Sequence, residues 1–284
     1  MLTFRAMIIH LIDGTYELFR HFYGIRRFKK SDPPLGAVSG VLSTVVQLLE
    51  DGATHVGVAT DHIIESFRND LWAGYKTGAG IERVLRAQFE PLEDALTAMG
   101  VTVWAMVELE ADDALASAAY LANQDERVEK ICIWTPDKDL AQCVVDERVV
   151  QVDRRSGAIR GAAEVRTKFG VAPEFIPDYL ALVGDSADGY PGISGCGPKT
   201  AATLINRYGP IEKFGPDVLN EENRTLALLF KDLATLRTDA PLFKDVDELC
   251  WRGATKEFPA VAEEIESARL LARVKKLEKR LINT

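Results

Sequence analysis

Acidic residues recur at the ends of apolar runs in this chain of 284 residues. Asp13 closes MIIHLID and Asp61 closes VGVATD. Glu110, Asp112 and Asp113 follow VTVWAMVEL as EADD, and Asp137 and Asp139 follow KICIWT as TPDKD. A lone aspartate after a strand is ordinarily a helix N-cap. Several brought together are a different matter, because like charges within a few ångströms repel and raise one another's pKa, so a cation is expected among them. No histidine or cysteine sits at these positions. The all-oxygen set suits Mg²⁺ or Mn²⁺ and not zinc. Two ions about 4 Å apart in such a set activate a water and stabilise the leaving oxygen in phosphodiester hydrolysis. Within EADD, Glu110 and Asp113 stand three apart and share a helix face, while Asp112 points elsewhere around the turn. Asp113 lies furthest from the strand tip. Asp185 and Asp188, in LVGDSADGYPG, repeat the three-residue spacing and would close the site from a later part of the chain.

Directly after these acids comes GISGCGPKTA, a Gly-x-x-Gly-x-Gly-x-Lys-Thr run leading into an apolar helix. Backbone N–H groups at such a turn bind phosphate oxygens without reading base sequence, and Lys199 and Thr200 add charge and a hydroxyl there. A nucleotide-binding P-loop does not fit, since Pro198 separates Gly197 from Lys199 and the preceding segment is helical. A turn between two packed helices is the plain alternative.

The elements that must carry these residues alternate. Strands are predicted at AMIIHLID, THVGVAT, VTVWAMV and KICIWT. Helices are predicted at Thr15 to Tyr23, GAVSGVLSTVVQLLED, Ile81 to Met99 and Ala111 to Ala122, with a short one at DLAQCV. This is the pattern of an α/β parallel sheet covered on both faces, whose ligands collect at the carboxyl ends of the strands. VVQVDRRSGAIRG reads as a hairpin at the sheet edge. After about Gly170 strand signals stop and helices follow one another, dividing the chain into residues 1–170 and an all-helical region 171–284. The tail VAEEIESARLLARVKKLEKR reads as one terminal helix packing a single face on the body.

A hydrophobic content of 47% supports a sizeable core, and no apolar run is long enough for a membrane span or a signal peptide. Cys132, Cys143, Cys196 and Cys250 lie far apart without metal or disulfide spacing. A soluble, cytoplasmic, monomeric protein is expected. The net charge of -9 argues at first against nucleic acid, but carboxylates that hold divalent ions subtract from the total while the bound metal reverses the local sign. The basic run RRFKK, with Arg26, Arg27, Lys29 and Lys30, reads as a solvated loop first and a DNA contact second.

In LIDGTYELFR, TDHIIESFRNDLWAGYK, ELEADDALAS, TPDKDLAQ, GDSADGYPGISGCGPKTA and LATLRTDAPL, the chain resembles the 5′ nucleases related to flap endonucleases and to the amino-terminal nuclease domain of bacterial DNA polymerase I. Order and spacing agree from about Ile8 to Leu242. No polymerase region follows, so the resemblance implies a stand-alone member. It implies a PIN-like (resolvase-like) nuclease domain with a helix-three-turn-helix (helix-hairpin-helix) module. The activity implied is that of a Mg²⁺-dependent 5′-3′ exonuclease or flap endonuclease acting on flapped, nicked or 5′-ended DNA in replication or repair, with a DNA polymerase as a partner. By resemblance Asp13, Asp61, Glu110 and Asp112 surround a first metal. Asp137, Asp139 and Asp188 surround a second, with Asp185 nearby. Lys76 assists at the scissile phosphate from the base of a helical arch, with Arg20 and Arg68 as positively charged neighbours. Gly195 and Gly197 hold a K⁺ ion through backbone carbonyls as well as phosphate. Three departures stand out. The arginine usual two residues after YK is missing from YKTGAG, leaving Arg83 and Arg86 as substitutes. The segment after Lys76 is short and glycine-rich, which counts against threading a strand through an arch. The usual SDN is ADG, with Gly189 in place of asparagine. A catalytically inactive junction-binding scaffold and a PIN-type ribonuclease are the alternatives; the intact acid set argues against the first, and the glycine hairpin has no purpose in the second.

Overall fold

A computed structural model describes residues 6–26 and 35–282. Met7–Asp13 forms β1, Gly14–Arg26 α1, Gly36–Glu50 α2 and His55–Asp61 β2. Single turns follow at Arg68–Leu71 (α3) and Arg83–Arg86 (α4), then α5 (Phe89–Ala98), β3 (Thr102–Met106), α6 (Ala111–Asn123) and β4 (Val128–Trp134). The edge strands β5 (Val149–Val152) and β6 (Ile159–Arg160) precede α7 (Ala162–Phe169), α8 (Ile176–Val183), α9 (Pro198–Tyr208), α10 (Glu221–Ala234), α11 (Phe258–Glu264) and α12 (Ala268–Ile282). The basic run falls mostly outside the described residues: Arg26 ends α1, and Arg27, Lys29 and Lys30 lie beyond it.

The sheet order is β3-β2-β1-β4-β5-β6, parallel except for the antiparallel β5-β6 hairpin at the edge. Side chains alternate across it, as the period of two in a strand requires. Ile12, Val56 and Val58 join α2, α5 and the chain's last helices on one face. Leu11, Ala59, Ile131 and Ile133 join α6 on the other. With both faces covered, the strands are apolar almost throughout, and the register that sets Asp13 beside Ala59 and Asp61 beside Met106 brings the β1 and β2 tips to one rim.

Helices α7 to α10 enclose a separate apolar cluster around Leu180, Phe214 and Phe230. The chain does not stay with them. Leu236, Val246 and Leu249 pack on the α6 face, and Trp251, Phe258, Leu270, Val274 and Leu277 pack with α2 on the opposite face. Residues after about 236 therefore pack on the sheet and its covering helices. The predicted tail helix is also two helices, broken where Glu266 takes a left-handed φ of 52°. Similarly, Ile81 to Met99 is split, because Pro91 has no N–H to continue a helix back to Ala87 and its ring crowds that carbonyl. Gln88, at the break, accepts the Ala37 and Val38 N–H groups at 3.1 and 3.4 Å, closing the start of α2.

Candidate metal centre and phosphate-binding hairpin

Hydrogen bonds from neighbouring segments fix the acids at the strand tips. Asp13 Oδ1 accepts the Tyr16 N–H at 2.8 Å, and its Oδ2 accepts the Thr135 hydroxyl at 3.0 Å, tying the β1 tip to the β4 tip. Asp61 Oδ1 accepts the Ala111 N–H at 2.8 Å, at the positive end of α6. Glu110, immediately before α6, accepts the Ser66 hydroxyl at 2.6 Å. Asp139 donates its N–H to Asp137 at 2.9 Å.

The loop after α8 closes the rim. Asp139, Asp185 and Asp188 each bring a carboxylate oxygen within 4.8 Å of the other two, and all three residues are buried. The remaining acids are linked electrostatically to these. Burial, then repulsion from Asp61 and Asp137 against the Tyr16 and Thr135 hydrogen bonds, pushes the Asp13 carboxyl up to about 7. Burial and the charges of Asp137 and Asp13 push Asp112 well up, and burial with Asp137, Asp188 and Asp185 does the same to Asp139. Asp61 and Asp188 are raised too, chiefly by burial and despite the nearby Lys76 ammonium. Two lysines enter the cluster. Lys76 lies 2.8 Å from Glu110 and 3.0 Å from Asp188, and Lys138 lies 2.6 Å from Asp185. Burial alone would lower the Lys76 pKa, but Glu110 and Asp188 outweigh it and hold the ammonium charged.

These cations do not balance the carboxylates, and Asp139 Oδ1 is buried with no hydrogen-bond partner. An oxygen-only set with an orphaned acceptor and uncompensated charge fits a hard divalent cation. The structure thus brings Asp13, Asp61, Glu110, Asp112, Asp137, Asp139, Asp185 and Asp188 to one rim, with Lys76 among them.

Two expected residues are engaged elsewhere. Asp113 is fully buried and forms a bidentate pair with Arg68, both contacts 2.7 Å, while also accepting the Glu110 and Arg237 N–H groups at 3.0 and 2.8 Å. Its oxygens are spent, which removes it from the metal ligands. Arg68 is 1% exposed and additionally donates to the Leu233 carbonyl at 2.8 Å, so it ties α6 to the end of α10 and offers nothing to DNA. Arg20 remains partly exposed, held by Glu17 at 2.5 Å. Arg83 and Arg86 are exposed on α4.

Gly189 has a local reason. Its φ is 86°, and a Cβ there would lie 2.0 Å from the Gly74 carbonyl oxygen. This close approach lets the Lys76 N–H reach the Asp188 carbonyl at 2.9 Å and Trp72 Nε1 reach the Gly189 carbonyl at 3.1 Å. The segment before Lys76 is thereby clamped to the loop bearing Asp185 and Asp188. Beyond that loop, Ser194, Gly195, Gly197, Pro198, Lys199 and Thr200 are exposed, and the open space around Gly195 and Gly197 leaves their backbone accessible at the start of α9. Thr135, Ser66, Lys138 and Tyr190 escaped the sequence reading. Lys138 lies inside TPDKD and carried a signal; the other three show nothing until folded.

Two family models match. Residues 8–170 match the 5′-3′ exonuclease N-terminal resolvase-like domain, and residues 171–257 match the 5′-3′ exonuclease C-terminal SAM fold. Over 281 residues the chain is 30% identical to a 5′-3′ exonuclease of Aquifex aeolicus, covering 95% of this chain and 96% of that one. It is 34% identical over 259 residues to DNA polymerase I of Pseudomonas aeruginosa, covering 84% of this chain and 28% of the polymerase, so it spans little more than a quarter of that relative's length. The fold is shared with the bacteriophage T5 flap endonuclease in a pseudo-enzyme-product complex with DNA and metal ions, at a TM-score of 0.64 and 19% identity over 96% of this chain and 98% of that one. Among the described residues no helix is long and apolar enough to cross a membrane.

Proposed function

This chain belongs to the 5′-3′ exonuclease family, and from that premise we propose that it is a structure-selective nuclease cutting DNA at a 5′ end or flap with two divalent ions, Mg²⁺ or Mn²⁺. The observation that carries the reading is the Asp139, Asp185 and Asp188 cluster, in which acids from the sheet and from the helical region lie within 4.8 Å of one another. Asp13, Asp61, Glu110 and Asp112 would hold one ion, and Asp137, Asp139, Asp185 and Asp188 the other. Ions held there supply Lewis acidity to the scissile phosphate and lower the pKa of the attacking water.

The protein's own groups do the positioning. The buried carboxylates hold the cations, and Lys76, kept charged between Glu110 and Asp188, presents an ammonium to the phosphate. Water attacks in line, the P–O bond to the leaving 3′ oxygen breaks, and the product keeps a 5′-phosphate without a covalent enzyme intermediate. Gly195, Gly197, Lys199 and Thr200 grip the duplex backbone without reading bases, and a K⁺ ion on the hairpin carbonyls would sharpen that grip. Arg20, partly exposed and paired with Glu17, is a cation on the α1 side for the same backbone. Such a nuclease acts as a soluble cytoplasmic monomer beside a DNA polymerase.

The test is cleavage of an end-labelled DNA flap, and of its RNA counterpart, with Mg²⁺ or with EDTA. Metal-dependent release of the DNA flap by the unsubstituted protein, abolished in Asp139→Asn with DNA binding kept, is expected. Binding without cleavage would point to a scaffold, and preference for the RNA flap to a ribonuclease.

A further inference from the structure

Resting on the reading of the acid rim as a metal centre, one more group belongs to it. Tyr190 is 1% exposed and faces Asp185 across a two-bond bridge. The Asp185 N–H donates to the Tyr190 carbonyl at 2.8 Å, and the Tyr190 N–H donates to the Asp185 carbonyl at 3.0 Å. Its ring stacks on Phe230 with centroids 5.5 Å apart and planes at 26°. Ring and backbone are therefore fixed, and the hydroxyl direction with them.

That hydroxyl is buried without a hydrogen-bond partner, as is Asp139 Oδ1. The acids whose charges it feels are Asp139, Asp188 and Asp185, the three that gather at the rim. As a phenol it is an O–H donor at neutral pH. A buried hydroxyl left unpaired costs about 1–3 kcal/mol, a cost that phenylalanine would avoid at nearly the same volume. A donor and an acceptor without partners thus border the same cluster.

We propose that the Tyr190 hydroxyl is a positioning donor for the Asp139, Asp185 and Asp188 cluster, orienting the Asp139 carboxylate, directly or through one water, when a divalent cation draws the three acids together. Partners that orient ligands in this way are worth about 10- to 100-fold in metal affinity. Tyr190 touches neither substrate nor the reacting atoms and acts only through the carboxylates.

The test is calorimetric titration of Mn²⁺ into the unsubstituted protein, Tyr190→Phe and Asp139→Asn, with thermal melts in EDTA alongside. Tyr190→Phe is expected to bind Mn²⁺ about tenfold more weakly, to melt no lower than the unsubstituted protein in EDTA, and to lose kcat at limiting Mg²⁺ with KM for a DNA flap unchanged. Asp139→Asn is expected to lose the site. Equal Mn²⁺ affinity in Tyr190→Phe and the unsubstituted protein would overturn the inference alone. A lower melt in EDTA with unchanged affinity would assign the hydroxyl a purely structural role and overturn it as well. Absence of Mn²⁺ binding by the unsubstituted protein would overturn the metal-centre reading and this inference with it.

Discussion

Replacing Asp13 by asparagine should stabilise the metal-free protein while disabling it. The Asp13 carboxyl is raised from 3.8 to about 7, first by burial and then by Asp61 and Asp137. At about 1.4 kcal/mol per pH unit, keeping it charged at pH 8 costs the fold about 4 kcal/mol. Because the folded value lies above the unfolded one, this cost is absent below pH 3.8, grows as pH rises, and is complete above about 7. Asn avoids it, and the raised value already includes the hydrogen bonds from Tyr16 and Thr135, so nothing further is subtracted for them. The gain for Asp13→Asn is then about 4 kcal/mol at pH 8 in EDTA and close to zero near pH 4. With Mg²⁺ at 100 times its dissociation constant, the unsubstituted protein recovers about 2.7 kcal/mol that the variant largely forgoes. Urea denaturation of both proteins at pH 5 and pH 8, with EDTA and with Mg²⁺, measures each quantity. A variant less stable than the unsubstituted protein in EDTA at pH 8, by the same margin as at pH 5, would refute the electrostatic reasoning.

Other substitutions separate architecture from chemistry. Asp113→Asn leaves the buried Arg68 guanidinium without its bidentate partner and should cost about 3–5 kcal/mol in urea denaturation whether or not metal is present; a metal-dependent loss would restore Asp113 to the ligand set. Gly189→Ala forces a side chain onto a φ of 86° and against the Gly74 carbonyl, so a loss of about 2–4 kcal/mol is expected, with weaker cleavage as Lys76 shifts. His10 accepts the Trp134 Nε1–H at 3.0 Å on Nδ1, and burial lowers its pKa to about 4. The folded value lies below the unfolded one, so the stability from neutral His10 is complete above about pH 6.5 and is lost as pH falls toward 4. A proton NMR titration should find the His10 ring unprotonated at pH 5; a midpoint near 6.5 would contradict this.

The sheet was legible because its strands are short β-branched runs whose burial on both faces leaves an almost uninterrupted apolar signature. The acids at its rim were legible for the same reason, since a short loop after a strand tip leaves a carboxylate little freedom over where it goes. Asp113 was misread because helical spacing gives a face but not a partner, and its partner, Arg68, is 45 residues away in sequence. The helix break at Ala87–Gln88 was written in the chain as Pro91, but apolar periodicity runs straight through it. Ser267, an N-cap residue type, likewise stands just before α12, where the tail reading ran on. Of the return of the chain after 236 onto the sheet, only a terminal helix packing one face on the body was legible. An amphipathic helix such as α12 states that it has an apolar face, and only the fold says that α2 covers it.

Diffraction from crystals soaked in Mn²⁺, recorded for the anomalous signal of the metal, tests the central claim most directly. Peaks are expected between the carboxylates of Asp139, Asp185 and Asp188, and beside Asp13, Asp61, Glu110 and Asp112. Bare carboxylates at full Mn²⁺ occupancy elsewhere, or a peak at Asp113, would contradict it.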